Sequence, residues 1–281
     1  MPGPPTNSDE EVNEAWRLFF MGDDEVFNRL RRRHRLMPSN PRCKVCQSPF
    51  GGAGGVVMRI SGRNRSKLNP NICNMCERFA EAHPGGAEIP LSMLFADIRG
   101  STTLAEKMGT ARFSSLIARF YDAVTDELIK VNAMIDRLIG DEVVALFVPV
   151  LAGQEHAKAA LEGARAILKA TGHEKGKEPW VPVGVGIHTG TAFVGSVGSL
   201  GVNDITALGD EVNLTARLAS LASAGEILIT EAARVASGLP SDGLEARHLE
   251  LKGRSTPVDA WVMRVGAHST PAGSRAKIAA G

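Results

Sequence analysis

The chain has 281 residues, of which 43% are hydrophobic and 22% charged, and its formal net charge at pH 7 is +1. This composition fits a folded protein with one good core and a smaller appendage. A charge so near zero gives no electrostatic indication of a nucleic-acid or membrane partner. The longest apolar run, residues 143–152, is too short to span a bilayer, and the start MPGPPTNSDEE lacks a secretion pattern. We therefore expect a cytoplasmic protein.

Residues 1–38 are expected to form an N-terminal tail with two helices. Ser8 and Glu11 make a capping-box pattern for the first helix. The second begins with acidic residues and ends in the basic run RRRHR, residues 31–35, so both ends complement the helix dipole. Nucleic-acid binding by this run is the alternative, which we do not favour because no aromatic residues are interleaved with it.

The four cysteines form two C-x-x-C pairs, Cys43 with Cys46 and Cys73 with Cys76. In a reducing compartment this spacing predicts one tetrahedral metal site rather than disulfides. Zinc fits best, since four thiolates close its coordination shell. Four unrelated thiols, an iron site or a redox-labile zinc switch are the alternatives. We predict one structural Zn²⁺ per chain in a zinc-ribbon-like segment.

This zinc-ribbon-like segment is expected over residues 39–84, with GGAGG, residues 51–55, as a turn. GGAGG resembles a phosphate loop only superficially, because no strand precedes it and no Lys-Ser/Thr pair follows.

After a predicted linker at residues 85–90, the pattern becomes one of alternating strands and helices. Apolar runs predict strands over residues 91–96, 133–139, 142–148, 181–188 and 192–197. Helical spacing predicts a long helix from Thr110 and an alanine-rich helix over residues 154–170. This order predicts an α+β fold with a ferredoxin-like βαββαβ core and extra C-terminal strands and helices. Residues 266–281 are polar and small, and are expected to be a disordered tail.

Two aspartates are placed where strands end. Asp97 follows the first apolar run in FADIRGSTT, and Asp141 lies with Gly140 in a tight hairpin connection. In a ferredoxin-like sheet the first strand lies beside that hairpin, so both carboxylates would emerge at the same end. Paired carboxylates are the ligands that Mg²⁺ needs when phosphate oxygens complete its octahedron. Taken singly, Asp141 could be a turn residue and Asp97 a helix cap.

Two further segments suit a nucleotide. Residues 98–103 turn into a helix start, where free backbone amides and the helix dipole favour phosphate. Downstream, ITALGDEVNLTARLAS predicts a strand ending at Gly209 and a helix that carries Asn213 and Arg217 on one face. An amide and a guanidinium so placed suit a ribose oxygen and a charged phosphorus centre. A solvated helix face is the alternative.

The segments FADIRGST, LIGDEVVALF, VGIHTGTAFVGSVG, ALGDEVNLTARL and ELKGRSTPVDAWV resemble, in order, the motifs of the class III nucleotidyl cyclases. The resemblance covers residues 91–265 and does not reach the helices or cysteines before them. It implies a cyclase domain that uses two Mg²⁺ or Mn²⁺ ions per site to make a cyclic nucleotide and pyrophosphate. It also implies a head-to-tail homodimer, with the aspartates from one subunit and the Asn-Arg pair from the other.

The resemblance implies a role for each matching residue. Asp97 and Asp141 match the metal-binding aspartates, with the Ile98 carbonyl as a further ligand. Asn213 matches the residue that orients the ribose, and Arg217 the arginine that stabilises the pentavalent phosphorus. The matching triphosphate contacts are the amides of Gly100, Ser101 and Thr102 and the side chain of Lys252.

The residues that would read the base depart from the family pattern. Arg137 stands where adenylate-specific members usually carry lysine, and Thr206 where they often carry aspartate. Arginine can donate to adenine N1, and the threonine hydroxyl can accept from adenine N6. Guanine N1 and N2 are donors, and neither residue offers them a carboxylate. Asp136 is expected to face the other way, as the next residue on a strand. We therefore expect ATP, with GTP, UTP or CTP, or a non-catalytic nucleotide-binding regulator, as the alternatives.

Overall fold

The computed structural model describes residues 7–23, 25–66, 72–174, 176, 178–199, 202–251 and 257–265. The chain divides into two compact units, one of residues 1–89 with 192–208 and one of residues 90–191 with 209–281. In the described ranges, none of the helices combines the length and apolar character needed to cross a membrane. The predicted tail at residues 266–281 lies outside the described residues.

The first unit begins with helices and contains the cysteines. Its described helices are α1 (Asn7–Met21), α2 (Glu25–Leu36), α3 (Gly52–Ile60) and α4 (Asn74–Ala82). Both expected N-terminal helices are present, although Ser8 lies inside α1 rather than at its N-cap. The expected turn at GGAGG is wrong, because α3 begins there. Gly55 lets the helix approach the chain before it, since an added Cβ would lie 2.5 Å from the Phe50 carbonyl oxygen.

Aromatic side chains on α1 form the centre of this first unit. Trp16 and Phe20 are fully buried and stack with ring centroids 5.5 Å apart. Phe79 of α4 meets Trp16 edge-on at 5.1 Å, and Trp16 Nε1 donates to the carbonyl of His83 at 3.0 Å. The spacing of the aromatic residues on α1 places them on one helix face. That face fixes α1 against the segment that follows the last cysteine pair.

The strands form one mixed sheet. They are β1 (Gly85–Ile98), β2 (Met134–Ile139), β3 (Glu142–Phe147), β4 (Val183–Ser199), β5 (Val202–Leu208), β6 (Glu226–Thr230), β7 (Glu245–Leu249) and β8 (Val258–Arg264). Their order is β2-β3-β1-β4-β6-β8-β7, and β5 pairs with β4. The run β2-β3-β1-β4 is the strand order of a ferredoxin-like core, which confirms the predicted α+β fold.

The second unit contributes the remaining helices. They are α5 (Ser101–Met108), α6 (Thr110–Lys130), α7 (Pro149–Ala152), α8 (His156–Ala170), α9 (Asp210–Leu221) and α10 (Glu231–Ala236). The buried stripes of α6 and α8, which include Phe120 and Ile167, pack in one core with Leu94 of β1 and Phe147 of β3. This packing holds the edge of the sheet where the two aspartates were expected.

Two strands are longer than the sequence pattern indicates. The expected linker at residues 85–90 is the start of β1, where Ile89 is fully buried. Gly86 allows a close approach there, since an added Cβ would lie 2.5 Å from the Val194 carbonyl oxygen. The two strands expected at residues 181–197 are one continuous β4, because Gly190 continues the strand instead of ending it.

A buried carboxylate joins the last three strands. Both oxygens of Glu226 accept hydrogen bonds from Arg247 at 2.8 Å, and Arg264 donates to one of them at 2.7 Å. Burial raises the pKa of Glu226, but the hydrogen bonds from Arg247, the Ser223 amide and Arg264 outweigh it and lower the pKa to about 2. A folded-state pKa below the usual 4.5 means that this network stabilises the fold above pH 4.5.

We expect Glu226→Gln to lower the free energy of unfolding at pH 7 by about 3 kcal/mol, because the paired charge is lost. The difference from the parent protein should shrink as pH falls from 4.5 to about 2, where Glu226 itself becomes protonated. Urea unfolding across this pH range measures both effects. Glu14→Gln is the control, since that side chain is exposed on α1 and pairs with Arg17 at the surface. A pH-independent difference for Glu226→Gln would contradict the prediction.

Candidate active site and metal centre

The ends of β1 and of the β2–β3 hairpin meet at one edge of the sheet. Asp97 lies opposite Glu142 in the antiparallel register, and the Ile98 amide donates to the Asp141 carbonyl at 3.2 Å. The Tyr121 hydroxyl of α6 donates to the Gly140 carbonyl at 2.8 Å, which pins the hairpin connection. The fold therefore brings the two predicted aspartates together, as expected from the topology.

Three carboxylates share this edge, because Glu142 joins the two aspartates. Burial raises the pKa of Asp97, and Asp141 raises it further, while Arg99 lowers it. Burial also raises the pKa of Glu142, again with contributions from Asp97 and Asp141. Half-buried carboxylates that repel one another are stabilised by a bound cation. Hard oxygen ligands of this kind suit Mg²⁺ or Mn²⁺.

Arg99 and Glu142 are residues of this edge that the sequence interpretation missed. The Arg99 guanidinium forms an ion pair with Asp97 and donates to the Ser220 carbonyl at 2.6 Å. Its backbone amide donates to the Pro182 carbonyl at 2.8 Å. The signal was present in the motifs, since Arg99 follows Asp97 by two residues and Glu142 follows Asp141 directly. These contacts place the end of β1 against the last turn of α9.

The predicted phosphate contacts lie at the start of α5. Gly100 has a left-handed φ of 66°, and its carbonyl accepts from the Leu104 amide at 2.9 Å. The amides of Ser101 and Thr102 therefore precede the first intrahelical donor, and no side chain caps this end of α5. A Cβ at Gly100 would meet nothing within 4 Å, so the space beside Gly100 is open. The other expected phosphate contact, Lys252, lies outside the described residues.

Asn213 and Arg217 occupy the outer face of α9. Asn213 is exposed and Arg217 half-buried, whereas Leu214 and Leu218 are buried in the core beneath them. Within the described ranges, neither outer side chain forms a hydrogen bond or ion pair with the two aspartates. The contact between Arg99 and Ser220 is at the far end of α9 from Asn213, about 10 Å along the helix axis.

The expected base-reading residues lie in different compact units. Arg137 donates from Nε to Asp136 Oδ2 at 3.0 Å, so the prediction that Asp136 faces away is wrong. The register of β2 with β3 skips Asp136, and this bulge places adjacent side chains together. The Asp136 side chain is fully buried and holds the Arg137 guanidinium. Thr206 is buried on β5, opposite Gly195.

Comparison with protein families decides the identity of this region. The family model described as the adenylate and guanylate cyclase catalytic domain matches residues 88–265. The chain belongs to this class III cyclase family. Its catalytic domain thus includes the carboxylate edge, α5 and α9.

Solved structures and curated relatives agree with this assignment. The crystal structure of the guanylyl cyclase Cya2 has a TM-score of 0.56 and 28% identity, covering 65% of this chain and 95% of that one. The adenylyl cyclase CyaB from P. aeruginosa has a TM-score of 0.53 and 30% identity, covering 64% and 96%. An adenylate cyclase from Anabaena cylindrica is 31% identical over 50% of this chain and 29% of its own length. An uncharacterized Mycobacterium tuberculosis protein is 33% identical over 49% of this chain and 25% of its own length. This chain thus covers only 25–29% of these two curated relatives' lengths.

The four cysteines form a second centre, in the other compact unit. Their sulfur atoms lie within 4.8 Å of one another, and all four residues are buried. Cys43 Sγ lies 3.8 Å from Cys76 Sγ, and Cys46 Sγ lies 3.6 Å from Cys73 Sγ. Four thiolates around zinc, with Zn–S bonds of about 2.3 Å, have sulfur–sulfur edges of about 3.8 Å. The residues therefore fit a tetrahedral metal ion.

The four thiols influence one another's ionisation. Hydrogen bonds among them lower the pKa of Cys73 and raise the pKa values of Cys46 and Cys76. The amides of Cys46 and Cys73 donate to Cys43 Sγ at 3.5 and 3.3 Å, which favours the thiolate there. The described part of this segment has two isolated β-bridges, Arg42 with Pro49 and Arg65 with Cys73, in place of the strands expected of a ribbon.

We expect Gly186→Ala to displace α9 and with it the face that carries Asn213 and Arg217. An added Cβ would lie 2.4 Å from the Ala219 amide nitrogen, which is helix backbone and cannot rotate away. The predicted cost is about 1–3 kcal/mol in the free energy of unfolding, with faster amide exchange in α9. Gly163→Ala is the matched control on α8, because its nearest neighbours are side-chain atoms at 3.2–3.4 Å. Unchanged stability and α9 exchange in Gly186→Ala would contradict this packing.

Proposed function

We propose that this cyclase converts ATP to 3',5'-cyclic AMP and pyrophosphate at sites shared across a head-to-tail homodimer. The observation that carries the proposal is the β1–β3 register, which ends with Asp97 opposite Glu142 and Asp141 beside Ile98. A half-buried group of carboxylates at a strand end is suited to hold divalent metal next to a triphosphate.

The residues of the carboxylate edge would bind metal and phosphate. Asp97 and Asp141 offer carboxylate oxygens, and the Ile98 carbonyl offers a third hard ligand. Two bound Mg²⁺ or Mn²⁺ ions would neutralise the triphosphate and lower the pKa of the substrate's 3'-hydroxyl. The amides at the start of α5, from Gly100 to Thr102, would hold phosphate oxygens along the helix dipole. Lys252 is proposed to add a positive charge to the triphosphate.

The reaction requires the protein to position the substrate and to stabilise charge, but it requires no nucleophile from the protein. The 3'-hydroxyl of the substrate attacks its own α-phosphorus in line, and pyrophosphate leaves. The Asn213 amide would orient the ribose, and the Arg217 guanidinium would stabilise the charge on phosphorus. By analogy with the loss of one oxyanion-hole donor, removing Arg217 should raise the barrier by about 2.7–4 kcal/mol.

A second copy of the chain is part of this proposal. Asn213 and Arg217 present their side chains on the outer face of α9. In the described chain they make no contact with Asp97 or Asp141, although the other end of α9 touches Arg99. A head-to-tail pair would place the outer face of α9 from one subunit at the carboxylate edge of the other. Two such sites follow from the two-fold symmetry.

The choice of ATP rests on the base-reading residues. The Arg137 Nε group donates to the buried Asp136 carboxylate at 3.0 Å, and a guanidinium offers the N–H donors that adenine N1 accepts. The Thr206 hydroxyl can accept from adenine N6. Similarity to the adenylate cyclases CyaB and that of Anabaena cylindrica supports this choice. GTP is the alternative because the guanylyl cyclase Cya2 is also similar, and pyrimidine nucleotides come next.

We also propose that the four-cysteine cluster holds one Zn²⁺ per chain. The sulfur–sulfur distances of 3.6 and 3.8 Å support a tetrahedral thiolate site. Four free thiols in contact are typical of reducing compartments, which supports a cytoplasmic location. Nucleic acid and membrane are not proposed as partners of the catalytic domain.

The decisive assay incubates the purified protein with Mg²⁺ or Mn²⁺ and each of ATP, GTP, CTP and UTP, and identifies the products by mass spectrometry. We expect cyclic AMP, and a fall of about 100-fold or more in Asp141→Ala. Asp122→Ala is the matched control, because that aspartate is exposed on α6. A different cyclic product would overturn ATP as the substrate and keep the mechanism. The absence of any cyclic product, from a dimeric and zinc-loaded protein, would overturn the proposed function.

A further inference from the structure

We propose that the metal-loaded cysteine cluster is a clasp that positions β5, the strand carrying Thr206, through a buried ion pair between Lys44 and Asp204. The inference rests on the proposed function in two respects, namely zinc at the four cysteines and Thr206 as a contact to the base. It assigns Lys44 as a positioning residue. It also gives the cysteine cluster a role in nucleotide selection.

Lys44 lies inside the first C-x-x-C pair, directly after Cys43. Its side chain is only 4% exposed, and Nζ lies 2.9 Å from Asp204 Oδ1. A lysine so buried requires a charged partner, because desolvation of an unpaired ammonium group is costly. The ion pair therefore ties the position of one residue on β5 to the backbone of the cysteine pair.

The backbone around Lys44 is shaped by the sulfur cluster and by α2. The Cys43 amide donates to the Ser48 carbonyl at 2.8 Å, and the Cys46 amide donates to Cys43 Sγ at 3.5 Å. From α2, Arg31 Nε donates to the Val45 carbonyl at 2.9 Å. The remaining geometry depends on the four sulfur atoms, which lie within 4.8 Å of one another and would be held together by bonds to one metal ion. Loss of the metal should therefore loosen the backbone that holds Lys44.

The strand at the other end of the ion pair needs an external support. β5 pairs with β4 and is off the main path of the sheet, so in the described sheet it has one neighbouring strand. Asp204 Oδ1 also accepts from the Ile205 amide at 2.8 Å, which fixes the carboxylate to its own strand. α4, which carries Cys76, packs against β5 as well. Both cysteine pairs thus support the same strand.

Thr206 is on the same face of β5 as the clasped carboxylate. Residues two apart on a strand point to the same side, so Lys44 restrains the face that carries the Thr206 hydroxyl. Thr206 lies opposite Gly195 and Asp204 opposite Val197 in the β4–β5 register. When the metal is lost, Lys44 is no longer held in one position. The hydrogen bonds between β5 and β4 should then break more often. The hydroxyl would then no longer be held in one position for the base.

The first test measures amide hydrogen exchange in the full-length protein, loaded with zinc and after removal of zinc by a chelator. We expect exchange in the β5 peptide, residues 202–208, to become about 10-fold faster without zinc, because local opening is released. Exchange in α6, residues 110–130, should stay the same and serves as the internal control. Unchanged β5 exchange after confirmed loss of zinc, or a protein that binds no zinc, would overturn the proposal.

The second test separates Lys44 from the metal site itself. Lys44→Met should keep one zinc per chain, measured by elemental analysis. The rate of amide exchange in its β5 should nevertheless equal the rate in the zinc-free parent protein. Lys158→Met is the matched control, since that lysine pairs with Glu155 at the surface. Adding Asp204→Asn to Lys44→Met should cause little further change, because the ion pair is already broken and the asparagine oxygen can still accept from the Ile205 amide. Normal β5 exchange in Lys44→Met, or loss of its zinc, would overturn the assignment.

The third readout is nucleotide selection, which a purely structural role would not alter in the folded enzyme. The ratio of kcat/KM for ATP to that for GTP should fall in Lys44→Met and stay constant in Lys158→Met. An unchanged ratio in Lys44→Met would overturn the link to the base. Zinc content and hydrogen exchange are measured without catalysis, so the clasp and the proposed cyclase activity can fail independently.

Discussion

The antiparallel pairing of β1 with β3 is the constraint on which the site depends. It runs from Ser92 opposite Phe147 to Asp97 opposite Glu142, and it continues into the hydrogen bond between Ile98 and Asp141. A shift of this register by one residue would turn every side chain of β1 to the other face. The buried apolar residues of β1 prevent that shift, so the stability of the core and the position of the carboxylates have the same origin.

Much of this arrangement follows from the sequence, because local patterns and one topology rule suffice for it. Apolar periodicity gives α6, α8 and the central strands, and the ferredoxin-like order then places Asp97 beside Asp141. The same periodicity gives α9 and its outer face with Asn213 and Arg217. These features depend on side-chain spacing of 2 or 3.6 residues, which is visible in one sequence.

The features that were not predicted depend on long-range contacts. The start of β1 looks like a linker, because Gly86 and its neighbours become a strand only through the close approach to β4. GGAGG looks like a turn, yet it begins α3, where an added Cβ on Gly54 would lie 2.8 Å from the Pro38 carbonyl oxygen. The bulge that joins Asp136 to Arg137 comes from the register of two strands, which spacing alone does not show. The ion pair of Lys44 with Asp204 spans residues far apart in the chain.

The central claim is that the carboxylate edge of one subunit works with the α9 face of another. The most direct measurement coexpresses Asp97→Ala with Arg217→Ala, each inactive alone, and assays the mixed dimers. The account predicts recovery of about a quarter of the parent activity, since half of the dimers are mixed and each mixed dimer keeps one intact site. Inactive mixed dimers, or full activity in Arg217→Ala alone, would contradict it.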